Sequence, residues 1–479
     1  METTPLGEIG GLVERAGRAQ KVWSRLAFSA RAEIIRRFHD LALDRSNAVL
    51  DTIQSETGKS RRDALAELVT VAGTARYYLA HGQGFLTPQR KRGAIPFLTH
   101  SSLEHRPHGV VGLIVPWNYP FLLSVGDAIP ALLAGNAVLL KPSELTPLSA
   151  VLGKALLQES GLDPDLLGIV HGGADVGAGL IRQVDYVGFT GSSANGRKVA
   201  IAAAERLIPF SLELGGKNPM IVLKDAPLEQ AAEGLIAGAF SNAGQTCISV
   251  ERVYVESPIF DRFAALVAER TNVLKVGWSR SFDIDVGSMI HSAHAAKVQE
   301  AIDGAVRAGA SVLAGAKRRS DLGPAFVAPT VLVQVDRRAP IAVEETFGPV
   351  VLLHRVESRD EAIALANDSQ YGLNASVWAG GAAPAMEIAR QLEVGSVAIN
   401  STLMIYNAFD LPMGGIKQSG IGRRHAEHGI LRYTQDQSIV RSFEAGGGYD
   451  SMLGKIRSEK MAAMMLKVVR LWRRIPGIR

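Results

Sequence analysis

Apolar residues recur every three or four positions over residues 32–47 and 62–78, with charges between them. That spacing predicts two amphipathic helices near the N-terminus. From about residue 103 to 213 the pattern changes. Short apolar runs at 110–115, 137–140, 167–170 and 186–189 predict strands. Helical stretches at 146–160 and 194–205 alternate with them, the first with Thr146 as N-cap and Pro147 in its first turn. A second block follows, with strands expected at 220–223, 252–255 and 350–354 and helices at 228–240, 260–274 and 359–366. Strand alternating with helix implies parallel βαβ units, hence an α/β class. No repeat of 20–50 residues interrupts the pattern.

Residues 110–140 carry a single charge, Asp127, and look membrane-like on hydropathy alone. Pro116, Pro120, Pro130, Asn118 and Asn136 break that stretch. A spanning helix needs about 20 regular apolar residues. Buried strands and loops of an α/β core are the expectation instead. Residues 1–20 contain Glu2, Glu8, Glu14 and Arg15 and no apolar run of the secretory type.

The chain has 479 residues, 47% hydrophobic and 21% charged, which is ordinary globular composition with room for two or more domains. Disorder and fibrous classes are excluded. A single cysteine rules out an internal disulfide and points to a reducing, cytoplasmic setting. The net charge of +5 invites an anionic partner. From Lys455 onward, however, there are eight basic residues and one acid, a balance of +7. The rest holds 44 basic and 46 acidic residues, a balance of −2. The body therefore offers no charge-based case for nucleic acid.

That lone cysteine, Cys247, follows Gly244, Gln245 and Thr246 in a loop after an apolar helix. A thiol nucleophile needs an activating base and a donor for the developing oxyanion. Glu213 ends a strand-like run before Leu214, Gly215 and Gly216, where open α/β sheets bind ligands. Asn118 lies in Pro116, Trp117, Asn118, Tyr119, Pro120, where a fixed amide can serve as oxyanion donor. Taken singly, each has a plainer reading: a buried small hydrophobe, a turn glutamate, a turn asparagine.

Taken together, these segments resemble the NAD(P)-dependent aldehyde dehydrogenase family. The matching pieces are Pro116, Trp117 and Asn118; Lys141, Pro142, Ser143 and Glu144; Phe189 to Ser192 with Gly196; Glu213 to Lys217; Gly244 to Cys247; Glu345 to Pro349; and Pro412 to Gly415 with Lys417, Ser419, Gly420 and Gly422. They stand in the family's order at family-like spacing and cover residues 16–443. The resemblance implies a Rossmann-like cofactor domain (residues 1–96 and 107–214), an α/β catalytic domain (215–425) and a small oligomerisation β element (97–106 and 426–443). A Gly-rich linker (444–454) and a basic amphipathic tail (455–479) follow. A homodimer or homotetramer is implied by the family alone.

The resemblance also implies roles. Cys247 attacks the aldehyde, Asn118 and the Cys247 N–H hold the oxyanion, and Glu213 activates the water that hydrolyses the thioester. Family members that pass the acyl group to CoA typically lack this glutamate, so the hydrolytic branch is implied. Cofactor contacts fall to Pro116, Trp117, Lys141, Ser143, Glu144, Gly191, Ser192, Leu214, Gly215, Glu345 and Phe347. A carboxylate at Glu144 suits ribose hydroxyls and repels a 2′-phosphate, which favours NAD over NADP. No metal is called for. Within the family the chain is similar to proteins labelled succinate-semialdehyde dehydrogenase, whose name is shared by characterised enzymes that bind the substrate carboxylate. Those place arginines six residues before the cysteine and nine after the tryptophan, where this chain has Ser241 and Gly126. The expected pocket segments, 121–123 and 402–406, are largely apolar, so an apolar aliphatic or aromatic aldehyde is an equal candidate. Many members carry a lysine ten residues after the tryptophan. Here that residue is Asp127, which puts any proton relay through it in doubt.

Two other classes remain open at this stage: a thiol hydrolase pairing Cys247 with one of 11 histidines, and an inactive binding protein. In the tail, Met461, Met464, Met465, Val468, Val469, Leu471 and Trp472 share one helical face, and Lys460, Lys467, Arg470 and Arg474 another. That pattern suits either peripheral membrane contact or docking on protein.

Overall fold

The computed structural model describes residues 1–92, 99–442, 454 and 456–472. It divides into two compact units, residues 1–85 with 107–435 and residues 86–106 with 436–479. The larger unit holds two open sheets.

In the first sheet, the strand order is Gly420–Ile421, Phe210–Glu213, Tyr186–Thr190, Val110–Ile114, Ala137–Lys141, Leu167–Ile169. All neighbours are parallel except Gly420–Ile421. Counted along the chain, the five parallel strands lie 5-4-1-2-3, the doubly wound order. The order reverses between Val110–Ile114 and Tyr186–Thr190, and both open at that point into the segments at Pro116 and Gly191. Val111, Val138, Leu139 and Val187 are buried, which fits strands covered on both faces.

The chain enters the second sheet between Glu213 and Asn218. Its order is Ser311–Ala314, Thr330–Val333, Val350–Val356, Val250–Glu256, Asn218–Val222, Asn374–Trp378, Ser396–Ile399, parallel except for the first strand. The helix Leu228–Phe240 buries Leu228, Ala231, Ala232, Leu235 and Ala239 against this sheet, the three- and four-residue spacing of one helical face. A separate apolar cluster that includes Ile221, Tyr254 and Val377 also packs on the sheet. Each fully buried aliphatic side chain contributes about 1.5–3 kcal/mol.

Three sequence expectations need correction. Thr146 does not cap its helix. The helix is Leu148–Glu159 with Pro147 at the cap position, and the first-turn N–H groups of Leu148 and Ser149 donate to the Glu56 carboxylate (2.7 and 2.9 Å). A negative charge from a distant helix replaces the hydroxyl. The stretch between Ile114 and Ala137 is loop over residues 115–119 and helical after it, not strand. It forms a π-helical turn, Leu122–Gly126, running into the helix Asp127–Leu133, with Pro130 inside. The 15-residue helix Ile9–Trp23 was absent from the expectation, its periodicity diluted by Gly10, Gly11 and Gly17.

The smaller unit contains a three-stranded sheet in the order Gln89–Arg92, Thr99–Pro107, Thr434–Ser442, and the helix Glu459–Trp472. Phe97, most of the Gly-rich linker and Arg474 lie outside the described residues. No helix among the described residues is long and apolar enough to cross a membrane.

Candidate active site

The carboxyl ends of the first sheet and the amino ends of the second meet at a cavity of about 380 Å³. Pro116, Trp117, Asn118, Gly191, Ser192, Glu213, Leu214, Gly215, Cys247, Glu345 and Phe347 all line it. Lys141, Ser143 and Glu144 do not; Lys141 ends the Ala137–Lys141 strand, Ser143 and Glu144 follow it, and Lys141 Nζ and Glu144 Oε2 lie 3.5 Å apart.

Cys247 is presented by a strained turn. After the helix Leu228–Phe240, Asn242, Ala243 and Gly244 take consecutive left-handed conformations (φ 51°, 53° and 70°). Non-glycine residues there cost roughly 1–3 kcal/mol each, so neighbours must hold them. The Gln245 side chain does so, donating to Asn242 O (2.9 Å) and accepting from Ile290 N–H (2.8 Å). Asn218 Nδ2 donates to Cys247 O (2.9 Å) and Ser249 O (2.8 Å). Burial pushes the Cys247 thiol up to about 12, with Glu345 and Glu213 adding to the rise and Arg424 opposing it.

Asn118 Nδ2 donates to Gln245 O (3.1 Å), two residues before Cys247, while Asn118 Oδ1 has no partner among the described residues. Its backbone is clamped from below. Lys59 Nζ donates to Asn118 O (2.7 Å) and to Glu67 Oε1 (2.6 Å), and Glu67 Oε2 accepts from Phe121 and Leu122 N–H (3.0 Å each). Both side chains of that ion pair are fully buried. Tyr119 OH and Thr246 Oγ1, 2.8 Å apart, tie the two loops together.

Glu213 ends its strand opposite Thr190, buried, and its Oε1 has no partner among the described residues. Burial raises its pKa, opposed first by Arg424 and then by Arg432.

On the far wall, Phe347 (φ 53°) is held by its N–H on Glu251 Oε1 (3.1 Å) and by its carbonyl at His294 Nε2 (2.9 Å). Trp117 packs edge-on against both rings, at 5.5 Å from Phe347 and 5.7 Å from His294. Buried Glu251 also pairs with Lys217. Glu345 accepts from Gly216 N–H (2.9 Å), and burial, then Glu251, pushes its carboxyl up to about 8.

These residues fit a nicotinamide dinucleotide. The switch point of a doubly wound sheet faces the cavity. Ser192 caps the helix Ser193–Glu205 there, the arrangement that receives a pyrophosphate. A Cβ at Gly215 would fall 2.3 Å from Glu345 Oε2, and one at Gly191 2.5 Å from the Phe189 ring, so backbone lines the groove at both points.

The comparisons agree with this geometry. The profile described as the Aldehyde dehydrogenase family matches residues 7–439. The chain belongs to that family. A Mycolicibacterium smegmatis protein provisionally named a succinate-semialdehyde dehydrogenase of the NADP(+) type is 42% identical across all of this chain and 93% of its own length. A Methylomonas protein named 4,4′-diapolycopene aldehyde oxidase is 39% identical over 88% of this chain and 79% of its own. The crystal structure of a Mycobacterium tuberculosis aldehyde dehydrogenase complexed with NAD+ superposes with TM-score 0.88 at 32% identity, covering 92% and 91% of the two chains. This aldehyde dehydrogenase is an oxidoreductase that uses a nicotinamide cofactor to convert aldehydes to carboxylic acids.

Several residues that build the site carried no signal in the sequence reading: Lys59, Glu67, Asn242, Glu251, His294 and Arg424. Each acts through a partner far along the chain, Lys59 on Asn118 and Arg424 on Asp127.

Proposed function

We propose that Cys247, Asn118 and Glu213 divide the oxidation into an acylation and a hydrolysis, and that the preferred substrate is an apolar aldehyde. The carrying observation is that these three side chains line one cavity, reached from the switch point of the cofactor sheet. The Cys247 sulfur, once deprotonated, adds to the carbonyl carbon. The resulting oxyanion accepts from Asn118 Nδ2 and the Cys247 N–H. The nicotinamide, when bound, supplies the hydride acceptor for that carbon. Collapse of the oxyanion leaves a Cys247 thioester. Glu213 removes a proton from water, the hydroxide adds to the thioester, and the acid leaves with the thiolate expelled.

The substrate reading rests on the cavity wall. Leu122, Leu123, Ile248, Leu403, Tyr406 and Met413 line it. Its cations are Arg424, paired to Asp127 at 2.8 Å, and Lys297, beside Glu345. Gly126 packs under Leu122, and Ser241 lines a different cavity, so neither position supplies a carboxylate partner here. The Methylomonas relative's name agrees with an apolar aldehyde. Succinate semialdehyde is the second reading, favoured by the name of the 42% identical relative.

Glu144 beside Lys141 supports NAD over NADP. The small sheet that includes Thr99–Pro107 and Thr434–Ser442 is the proposed homo-oligomer element. The helix Glu459–Trp472 exposes Met464, Leu466 and Leu471 on a chain segment rich in lysine and arginine, which supports peripheral membrane contact. Equal pelleting with liposomes by the full chain and by a chain ending at Ala445 overturns that part.

A panel of aldehydes with NAD and with NADP tests the reading. Higher kcat/KM for hexanal or benzaldehyde than for succinate semialdehyde, and with NAD, is expected; the reverse order overturns it.

A further inference from the structure

Asp127 stands where many members of the family carry a lysine, and its surroundings show what replaces that group. Its two carboxylate oxygens are divided between two arginines. Oδ2 accepts from Arg424 Nη2 (2.8 Å), and Oδ1 accepts from Arg432 Nη2 (3.1 Å). The three side chains are 13%, 9% and 10% exposed. One buried carboxylate therefore serves two buried guanidinium groups, which leaves one positive charge uncompensated within the trio. Arg424 Nη2 also donates to Thr190 Oγ1 (2.6 Å), and Thr190 sits beside Glu213 in the sheet. Arg424 and Glu213 line the same cavity. No hydrogen bond joins them among the described residues, and the Nε atoms of both arginines lack partners there.

We propose that Arg424 is a positioning residue for Glu213: held by Asp127 and Thr190, it places the balancing cation that keeps the buried general base ionised between turnovers. This rests on Glu213 acting as the base of the hydrolytic step. With Glu213 ionised, the four-residue cluster is neutral; with Glu213 protonated, it carries a buried positive charge. Buried unbalanced charge is costly, so the cluster itself favours the carboxylate. The charged groups bearing on Glu213 are Arg423 and Arg424 on the segment after Gly420–Ile421, Arg432 beyond the last helix of this unit and Asp127 on its helix. Tyr186 on the neighbouring strand, Tyr406 and Cys247 are further titratable neighbours among the described residues. Burial drives the Glu213 carboxyl upward; Arg424 is the largest opposing influence, and Asp127 acts in the upward direction.

The sign is what separates this role from a simple staple between Asp127–Leu133 and the late segment. A base works when ionised, so the hydrolysis rate falls as pH drops through its pKa. Removing the cation must move that acid limb to higher pH, and removing the anion must move it to lower pH.

The test uses the full-length enzyme with saturating NAD+ and hexanal. Stopped-flow records the NADH burst and the following thioester hydrolysis from pH 5 to 9. Arg424→Gln is expected to shift the acid limb of hydrolysis upward by on the order of one pH unit. Arg424→Lys should keep it near its original position, and Asp127→Asn should shift it downward. Difference infrared titration of the cofactor-free protein, with Glu213→Gln subtracted, reads the same carboxyl without turnover and should move the same way. Should Arg424→Gln fail to accumulate, the other two variants still give the sign. Limbs that stay in place, or that move in the same direction for both charge removals, overturn the proposal. Failure of the unaltered enzyme to form NADH and the carboxylic acid from hexanal counts instead against the proposed function.

Discussion

The cysteine wall of the cavity is held by neutral amides and one internal ion pair, whereas the glutamate wall is ringed by arginines. Around Cys247, Gln245 and Asn218 hold the backbone, and Lys59 with Glu67 forms a closed, fully buried pair beneath Asn118. Around Glu213, Arg424 and Arg432 share Asp127. Glu213 is buried and Cys247 half-buried, and loss of solvent raises both, the thiol to about 12. Arg424 is the largest opposing influence on both, but the glutamate also has Arg432 and Arg423, whereas the thiol is pushed further up by Glu345 and Glu213. With the roles proposed for these residues, the contrast teaches how one small space can hold a nucleophile's thiol protonated while cations oppose the protonation of its base.

Removing the nucleophile breaks the comparison most completely. Cys247→Ala should lose aldehyde oxidation by on the order of 10⁴-fold or more, read as NADH formation. Glu213→Gln should cut steady-state turnover by about 10²–10⁴-fold, because the proposed base acts in the hydrolytic half. Asn118→Ala should cost about 10²–10³-fold in kcat, with little change in thermal unfolding, since its side chain makes one hydrogen bond in the free enzyme. The mildest effect sharpens the contrast through pH. With the thiol pKa about 12, the thiolate fraction below that value rises about tenfold per pH unit. Alkylation of Cys247 by iodoacetamide in the cofactor-free enzyme should follow that slope between pH 7 and 10. A plateau in that range places the thiol lower than the structure does.

Much of this was legible in the chain before any coordinates. Alternating apolar runs and helical stretches marked the parallel sheets, and the helix 228–240 was read at its observed limits. Cys247, Glu213 and Asn118 stood out because each lies in a short motif with its own chemistry. What stayed hidden was everything decided by distant partners. Glu56 caps a helix 92 residues away, a pairing without local spacing rules. Lys59 and Glu67 look like ordinary surface charges until the fold buries both under Asn118. Asp127 read as a missing lysine, and only the approach of Arg424 and Arg432, 297 and 305 residues later, gives it partners. The turn at Asn242 and Ala243 was equally opaque, because left-handed backbone without glycine depends on the side chains that enforce it.

The division of labour between the two walls is most directly tested by pre-steady-state kinetics of Glu213→Gln with saturating NAD+ and hexanal. The account predicts a rapid burst of one NADH per active site followed by a near stall, with the acyl group recoverable on Cys247. A variant that turns over steadily at the unaltered rate, or one that shows no burst while folding normally, contradicts it.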